Sequence, residues 1–559
     1  MDVSRRQFNS SVVAAVALVL SRTAPTVAQT AAGLSKERIV LNRLTCGSVE
    51  GDEKFLRDHG LESWLEREFA KPLVDEALGD RLSSATLMIE YEADKDENGH
   101  SWKGLKEARH YVNLDRPGAE LLPLLDFDTV GMSFEERIRP GREVQVASLV
   151  RAVHADSQLR EVMTQFWHDH FNVNSMKDEK TAAYFPFHDR VMRKNALGNF
   201  RVFLGEIARS PAMLFYLNNE ASKASPANEN FARELFELHT LGAQNYANEK
   251  YDHWGDVPGA KSGMAQAYID EDVYEAARAL TGWSFGDGRY LSEGENAPQT
   301  GEFHYIDSWH DPYQKRILGV ELAPNGGPMQ DGEKLLDLVA FHPGTAQFVS
   351  RKIIRRLLND EPDQALVDSA AEVFMANKDA GDQIFKVVSH IALSPQFSQL
   401  KPQKLRRPFE FLAALYRMSG ADVKAPEFQF HEMLTQCGWT QHECRPPTGH
   451  ADHNEHWANT NYLTGLTNVG LNAFEDWVKA GKLSPAENLP DGLSKTKDAA
   501  AFLMKCLISV DAAQLLAVDL TVALDGDGEA SLPNDQNERN EKLRMMLALA
   551  ALHPEFLYR

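Results

Sequence analysis

Two short stretches of this 559-residue chain hold the residue types best suited to chemistry. The first is Phe166-Trp167-His168-Asp169-His170-Phe171-Asn172. Residues at i and i+2 do not share a helix face, so His168 and His170 meet on one ion only if the helix ends or bends there. Their apolar flanks place them inside, where an imidazole needs a partner. They are therefore either structural histidines bonded to backbone or carboxylate, or metal ligands, a role imidazole fills more often than any other side chain. The second stretch is Asn228-Glu229-Asn230-Phe231-Ala232-Arg233-Glu234-Leu235-Phe236-Glu237-Leu238-His239. Phe231, Leu235 and Leu238 make an apolar stripe, with Asn230, Arg233, Glu234 and Glu237 on the other side. Like charges at i and i+3 repel on a helix unless something positive lies between them. Arg233, four residues before Glu237, would serve, and so would a metal ion. A buried functional cluster and a solvated face with one ion pair are the two readings.

Downstream, Glu271-Asp272-Val273 opens a helix, its acids suited to the positive end. That helix carries Arg278, a candidate partner for the glutamates, and runs to Thr281-Gly282-Trp283. His310 and Asp311 follow in an irregular stretch, where ligands and catalytic groups often sit. The expected catalytic set is Glu234, Glu237, Arg233, Arg278 and Asp311. The expected metal set is His168, His170, His239 and His310, around a divalent transition metal that would activate water or oxygen.

Other patterns are weaker. His431, His442, His450, His453 and His456 gather near Cys437 and Cys444, but at spacings that fit no standard zinc module. The two cysteines are close enough for one disulfide, and free thiols are the open alternative. Gly282-Trp283-Ser284-Phe285-Gly286 fits Gly-x-Ser-x-Gly as a string, yet it follows a helix and enters a loop, unlike a nucleophile elbow. Asp94-Lys95-Asp96-Glu97-Asn98-Gly99 starts like a calcium loop, but Leu105 stands where the closing glutamate belongs. No phosphate-cradling, dinucleotide or His-Glu-x-x-His motif occurs.

The elements that must position these groups read as helices. Apolar residues recur at three and four, as in Val146, Val150, Val153 and then Leu159, Val162, Met163, Phe166. Few stretches alternate at period two, so the expected class is mainly α, a large multi-helix globular domain with long loops and few strands. A pattern of Ala, any residue, Ser or His, then Pro recurs at Ala208–Pro211, Ala340–Pro343, Ala392–Pro395 and Ala551–Pro554. Each reads as a tight corner, with a capping serine where there is one and proline at the first helical position. Residues 250–266, 286–301 and 525–540 read as surface loops.

Arg5-Arg6 precedes a moderately apolar run from Ser11 to Leu20 and the small-x-small Thr26-Val27-Ala28. Residues 1–28 thus read as a twin-arginine signal peptide, too short to span a membrane, and the expected location is periplasmic or secreted. Residues 29–559 read as one large helical domain, with a C-terminal lobe from about residue 421 as a variant of that reading. The formal charge of −22 argues against nucleic acid or an anionic membrane as partner. No second stretch is apolar enough to be a transmembrane segment.

Taken in order, the motifs carry a family resemblance. Leu41-Asn42-Arg43-Leu44-Thr45, the Phe166–Phe171 and Asn228–Leu235 stretches, Ala208-Arg209-Ser210-Pro211-Ala212-Met213-Leu214 and Ala277-Arg278-Ala279-Leu280-Thr281-Gly282-Trp283 all contribute. His310-Asp311, Pro446-Pro447-Thr448-Gly449 and Pro554-Glu555-Phe556 complete it. The chain resembles the domain-of-unknown-function family DUF1800 over most of its length. The resemblance implies an exported, largely helical protein of unassigned activity. It also implies a partner from a second exported family, DUF1501, which looks like a sulfatase or phosphatase relative. The residues themselves leave three roles open. One is a metal-dependent enzyme, one a non-enzymatic scaffold or assembly partner, and one a polysaccharide or envelope binder with Trp167, Trp283, Trp309 or Trp457 along an exposed cleft.

Overall fold

Three helices form the frame on which the first histidine stretch is mounted. Phe134–His154 begins at Ser133, whose hydroxyl accepts the Glu136 N–H at 3.3 Å, and buries Val144, Val146, Ala147, Leu149, Val150 and Val153. It packs along Glu179–Asn195, and Gln158–His170 touches both. Trp167 sits wholly buried, edge-on to Phe203 and stacked on Phe171, with its indole N–H donating to Ala196 O at 2.9 Å. A buried indole needs that acceptor, so the Trp167 position is fixed by packing and polarity together.

The computed structural model describes residues 33–398, 401–478 and 480–559. The expected signal segment, residues 1–28, lies outside them. Helices dominate, and among the described residues strands occur only as two-stranded antiparallel pairs. The longest pair joins Thr86–Tyr91 to Leu105–His110. The apolar core runs as one cluster from Leu41 to Leu557. Its last residues fold back, with Arg406 N donating to Leu557 O at 2.8 Å and Gln403 N and Lys404 N to Arg559 O at 3.1 Å. No helix among the described residues is long and apolar enough to cross a membrane.

The four proline corners all start helices: Pro211–Tyr216, Pro343–Leu357, Pro395–Ser398 and Pro554–Leu557. The caps match expectation in part, with Ser394 accepting the Phe397 N–H at 3.2 Å. Ser210 makes no cap bond, whereas the His342 and His553 rings accept from Gly344 N and Glu555 N. Imidazole nitrogen thus does the work usually given to a hydroxyl.

Three expectations need correction. The segment after Gly282 is a strand, Trp283–Phe285 paired with Phe303–Tyr305, rather than a loop. Ser284 is buried there and donates to Glu220 O at 2.5 Å, so it is a structural hydroxyl. Residues 250–266 contain tight helical turns at Asn248–Asp256 and Ala260–Ser262, residues 286–301 a small hairpin, and residues 525–540 the start of Gln536–Ala550. Asp94–Gly99 forms a hairpin turn in which His100 bonds Asp96 at 2.9 Å, the polar-turn reading of that stretch. All four cysteines are free thiols, Cys437 and Cys444 among them.

Candidate functional site

Gln158–His170 ends at its second histidine, and the two imidazoles part company there. His168 Nε2 lies 3.0 Å from Asp189 Oδ1. Asp189 Oδ2 accepts from Arg151 at 2.9 Å and Arg193 at 3.0 Å, and Arg193 reaches on to Glu161 at 2.5 Å. Burial would raise the Asp189 pKa, but Arg193, Arg151 and the His168 bond hold it well below the usual carboxylate range. His442 packs against His168 with ring centroids 4.3 Å apart and shares a 2.8 Å hydrogen bond with the Ser148 hydroxyl. His188 Nε2 donates to Phe171 O at 3.0 Å, and burial pushes its pKa down to about 3. This is a buried ion-pair and hydrogen-bond network within the core, in which Arg193 Nη2 has no hydrogen-bond partner in the protein.

His170 turns the other way, its Nε2 donating to His239 O at 3.1 Å, and the two ring centroids lie 6.4 Å apart. Both rings are buried, and burial drives both pKa values down, His239 to about 3. His170 Nδ1 and both ring nitrogens of His239 have no hydrogen-bond partner in the protein. Lys352 is close enough to depress both rings further.

The glutamates do not join them. Asn230–Glu234 is α-helical, and Leu235–His239 widens into a π-helical turn that sends His239 inward and leaves Glu234 and Glu237 partly exposed. Arg233 does not sit between them. It bonds Asp270 at 3.1 Å and lies 3.5 Å from Glu229. Nor does Arg278 reach them: it grips Asp311 through two nitrogens at 2.8 and 3.0 Å and Glu275 at 2.7 Å. Without a bonded cation, burial and the Glu237 charge push Glu234 up to about 7. Asp311 also accepts the Tyr313 N–H, and burial is outweighed by Arg278 so that its pKa falls. His310 Nδ1 lies 3.0 Å from Thr281 O, and its Nε2 lies 3.4 Å from Asp331. That histidine belongs to a strand-and-turn ion cluster with Lys315, remote in contact from His168 and His170.

Of the expected metal set, then, only His170 and His239 are neighbours. Among the described residues no three His, Cys, Asp or Glu side chains come together in a way that could hold a metal ion. Of the tryptophans expected along an exposed cleft, Trp167, Trp283 and Trp457 are buried and Trp309 is half-buried.

A cavity of about 420 Å³ does open beside the first histidine stretch. Its wall includes Lys352, Arg355, Cys444, Thr448, His450 and Asp452. The loop that forms it is pinned to the stretch by Asn172, whose amide donates to Cys444 O at 3.0 Å and Pro446 O at 2.9 Å. Gly449 adopts φ +73° and lies so close to the Asp169 carbonyl that a Cβ would stand 2.2 Å from its oxygen. His450 stacks on Trp439 at 4.0 Å. Lys352 has no carboxylate within ion-pair range among the described residues, and burial lowers its pKa to about 8. Tyr216 donates to Arg445 O at 2.7 Å, a further tie on this loop.

The family model for "Protein of unknown function (DUF1800)" matches residues 39–558. The chain belongs to the DUF1800 family. No curated protein and no solved structure matches this DUF1800 chain. Sequence reading overlooked three residues of its candidate site. Asp189 was legible as an acid among Arg190 and Arg193 in an apolar helix. Lys352 was legible as a cation next to Ile353-Ile354. Tyr216 carried no signal beyond its place at the end of Pro211–Tyr216.

Proposed function

We propose that this DUF1800 protein is an exported enzyme whose substrate enters the cavity between Lys352 and the loop that carries Cys444 to His456. The observation that supports this is the cavity itself, about 420 Å³ with an unpaired lysine in its wall. Cavities of this volume are the usual size for a small-molecule site. A lysine brought down to about 8 serves as a base or nucleophile near neutral pH. Lys352 and Arg355 together favour a substrate carrying a carboxylate or phosphate. The test is a thermal-shift screen of the full chain against small carboxylates and phosphate monoesters, repeated on Lys352→Met. Ligands that stabilise the parent should bind the variant at least about tenfold more weakly, as expected for a lost charged hydrogen bond. Equal affinity for the variant would remove the cavity reading.

The metal-dependent form of this reading rests on His170 and His239. Their neutral rings and unpartnered nitrogens suit a borderline metal such as zinc or copper, with further ligands from solvent or substrate. Elemental analysis of chain purified from the periplasm without chelator should then show near-stoichiometric metal. His239→Ala should lose it while keeping its helical signal. Absence of metal from both proteins leaves the lysine chemistry standing alone.

The Asp189 network favours a second reading, a helical scaffold or assembly partner of another exported protein. Buried polar networks fix helix packing without doing chemistry. A parent that binds nothing in the screen while its Asp189 variant loses a partner protein would support it.

A further inference from the structure

A second, much smaller pocket combines an apolar lining, Val162, Phe409 and Ala413 among it, with four arginines. Arg356, Arg406, Arg407 and Arg559 line it, with Glu410 as the one carboxylate. None of the four arginines is more than 4% exposed. Glu410 lies 3.4 Å from Arg356 and Arg407 and 3.2 Å from Arg559. Beyond the pocket wall, Asp169 takes Arg407 at 2.6 Å and lies 3.8 Å from Arg356, and Asp452 lies 3.6 Å from Arg356. Arg406 has no carboxylate in ion-pair range among the described residues. Its Nε donates to Phe556 O at 2.8 Å.

These acceptors do not satisfy the donors. Arg356 Nε and Nη1, Arg406 Nη2, Arg407 Nε and Arg559 Nε are all buried with no hydrogen-bond partner in the protein. An unpaired buried donor costs about 1–3 kcal/mol, and more when it is charged. Several such donors around one void are the pattern expected of a site that lacks its acceptor. Burial and then the Arg559 charge bring the Arg406 pKa down to about 10, whereas the burial of Arg407 is outweighed by Asp169, Glu410 and Asp452, which hold its pKa up. The pocket volume is about 30 Å³, enough for a water-sized or halide-sized species and too small for an organic ligand.

We propose that the pocket between Arg356, Arg406, Arg407 and Arg559 holds a single small inorganic anion of chloride size. The anion accepts the unpartnered guanidinium N–H groups and adds to the negative charge of Glu410, Asp169 and Asp452. It acts as a structural ion, because it ties Pro343–Leu357 and Pro408–Ser419 to the final residues 554–559. This inference is independent of the proposed activity.

The experiment compares thermal unfolding of the full chain in sodium chloride and in sodium gluconate at constant ionic strength. A ligand of the folded state raises the midpoint in proportion to the logarithm of its concentration. Chloride should do so and gluconate should not, and Arg406→Met should lose the chloride dependence. Crystals soaked in bromide should show an anomalous peak inside the pocket. Identical midpoints in the two salts would overturn the proposal. So would bromide-soaked crystals with no anomalous peak there, which is the outcome if water alone fills the space. The bromide measurement uses the unaltered chain, so it decides the matter even if Arg406→Met does not fold.

Discussion

Asp189→Asn should destabilise the protein by about 3–5 kcal/mol, the range measured when one partner of a buried ion pair is removed. Asp189 is the acceptor for Arg151 and Arg193 and the partner of His168. Arg151 has no other ion pair among the described residues, so the variant leaves a buried guanidinium facing an amide. Urea unfolding at pH 7 measures the loss, and a difference below about 1 kcal/mol would show that the network is not a stability element. The effect has a pH signature. The folded Asp189 pKa is depressed well below the unfolded value of about 3.9. Its contribution is therefore complete above about pH 4 and is lost as pH falls through the folded value. The gap between parent and variant should stay constant from neutral pH down to about 4 and narrow below it.

Gly449→Ala should cost about 3 kcal/mol and loosen the cavity. Two effects combine there. The residue holds φ +73°, a left-handed conformation that costs a non-glycine residue about 1 kcal/mol or more. The new Cβ would also stand 2.2 Å from Asp169 O and 2.9 Å from its Cα, and backbone atoms cannot rotate away as a side chain does. Gly420 supplies the control, since it too has φ +73° but nothing within 4 Å of the place a methyl would take. Gly420→Ala should lose only the conformational part, and the difference between the two variants isolates the contact. Hydrogen exchange of residues 444–456 should speed up in Gly449→Ala alone. Equal losses in both variants would show that the loop accommodates the methyl.

The helices were legible because they need only local information. Apolar spacing from Val146 to Phe166 marked two of the three frame helices, and the four Ala-x-Ser/His-Pro corners marked helix starts. The site was harder to read, for two separate reasons. Face arithmetic at 3.6 residues per turn put Arg233, Glu234 and Glu237 on one face, but the backbone widens to a π turn at Leu235 and Arg233 turns to Asp270 instead. Ion partners were also misassigned, because charge pairing in a folded chain ignores sequence distance. Arg278 met Asp311, which is 33 residues away, and Glu275, rather than Glu234 or Glu237. His168 and His170 were correctly placed inside, yet only the end of Gln158–His170 decides that they face opposite ways.

The return of residues 554–559 to the 403–410 segment bears on the order of events during synthesis. Leu557 shares a core with Leu41, and the backbone of Arg406 waits for Leu557 to supply its acceptor. A ribosome that has released residues up to about 500 has therefore delivered a polypeptide whose central layer lacks one wall. Completion of the core must then wait for residues 554–559, since contacts this distant in sequence close last. Until that closure the apolar surface that Phe556 and Leu557 cover stays exposed, so removing residues 554–559 should loosen the whole core rather than fray one edge of it.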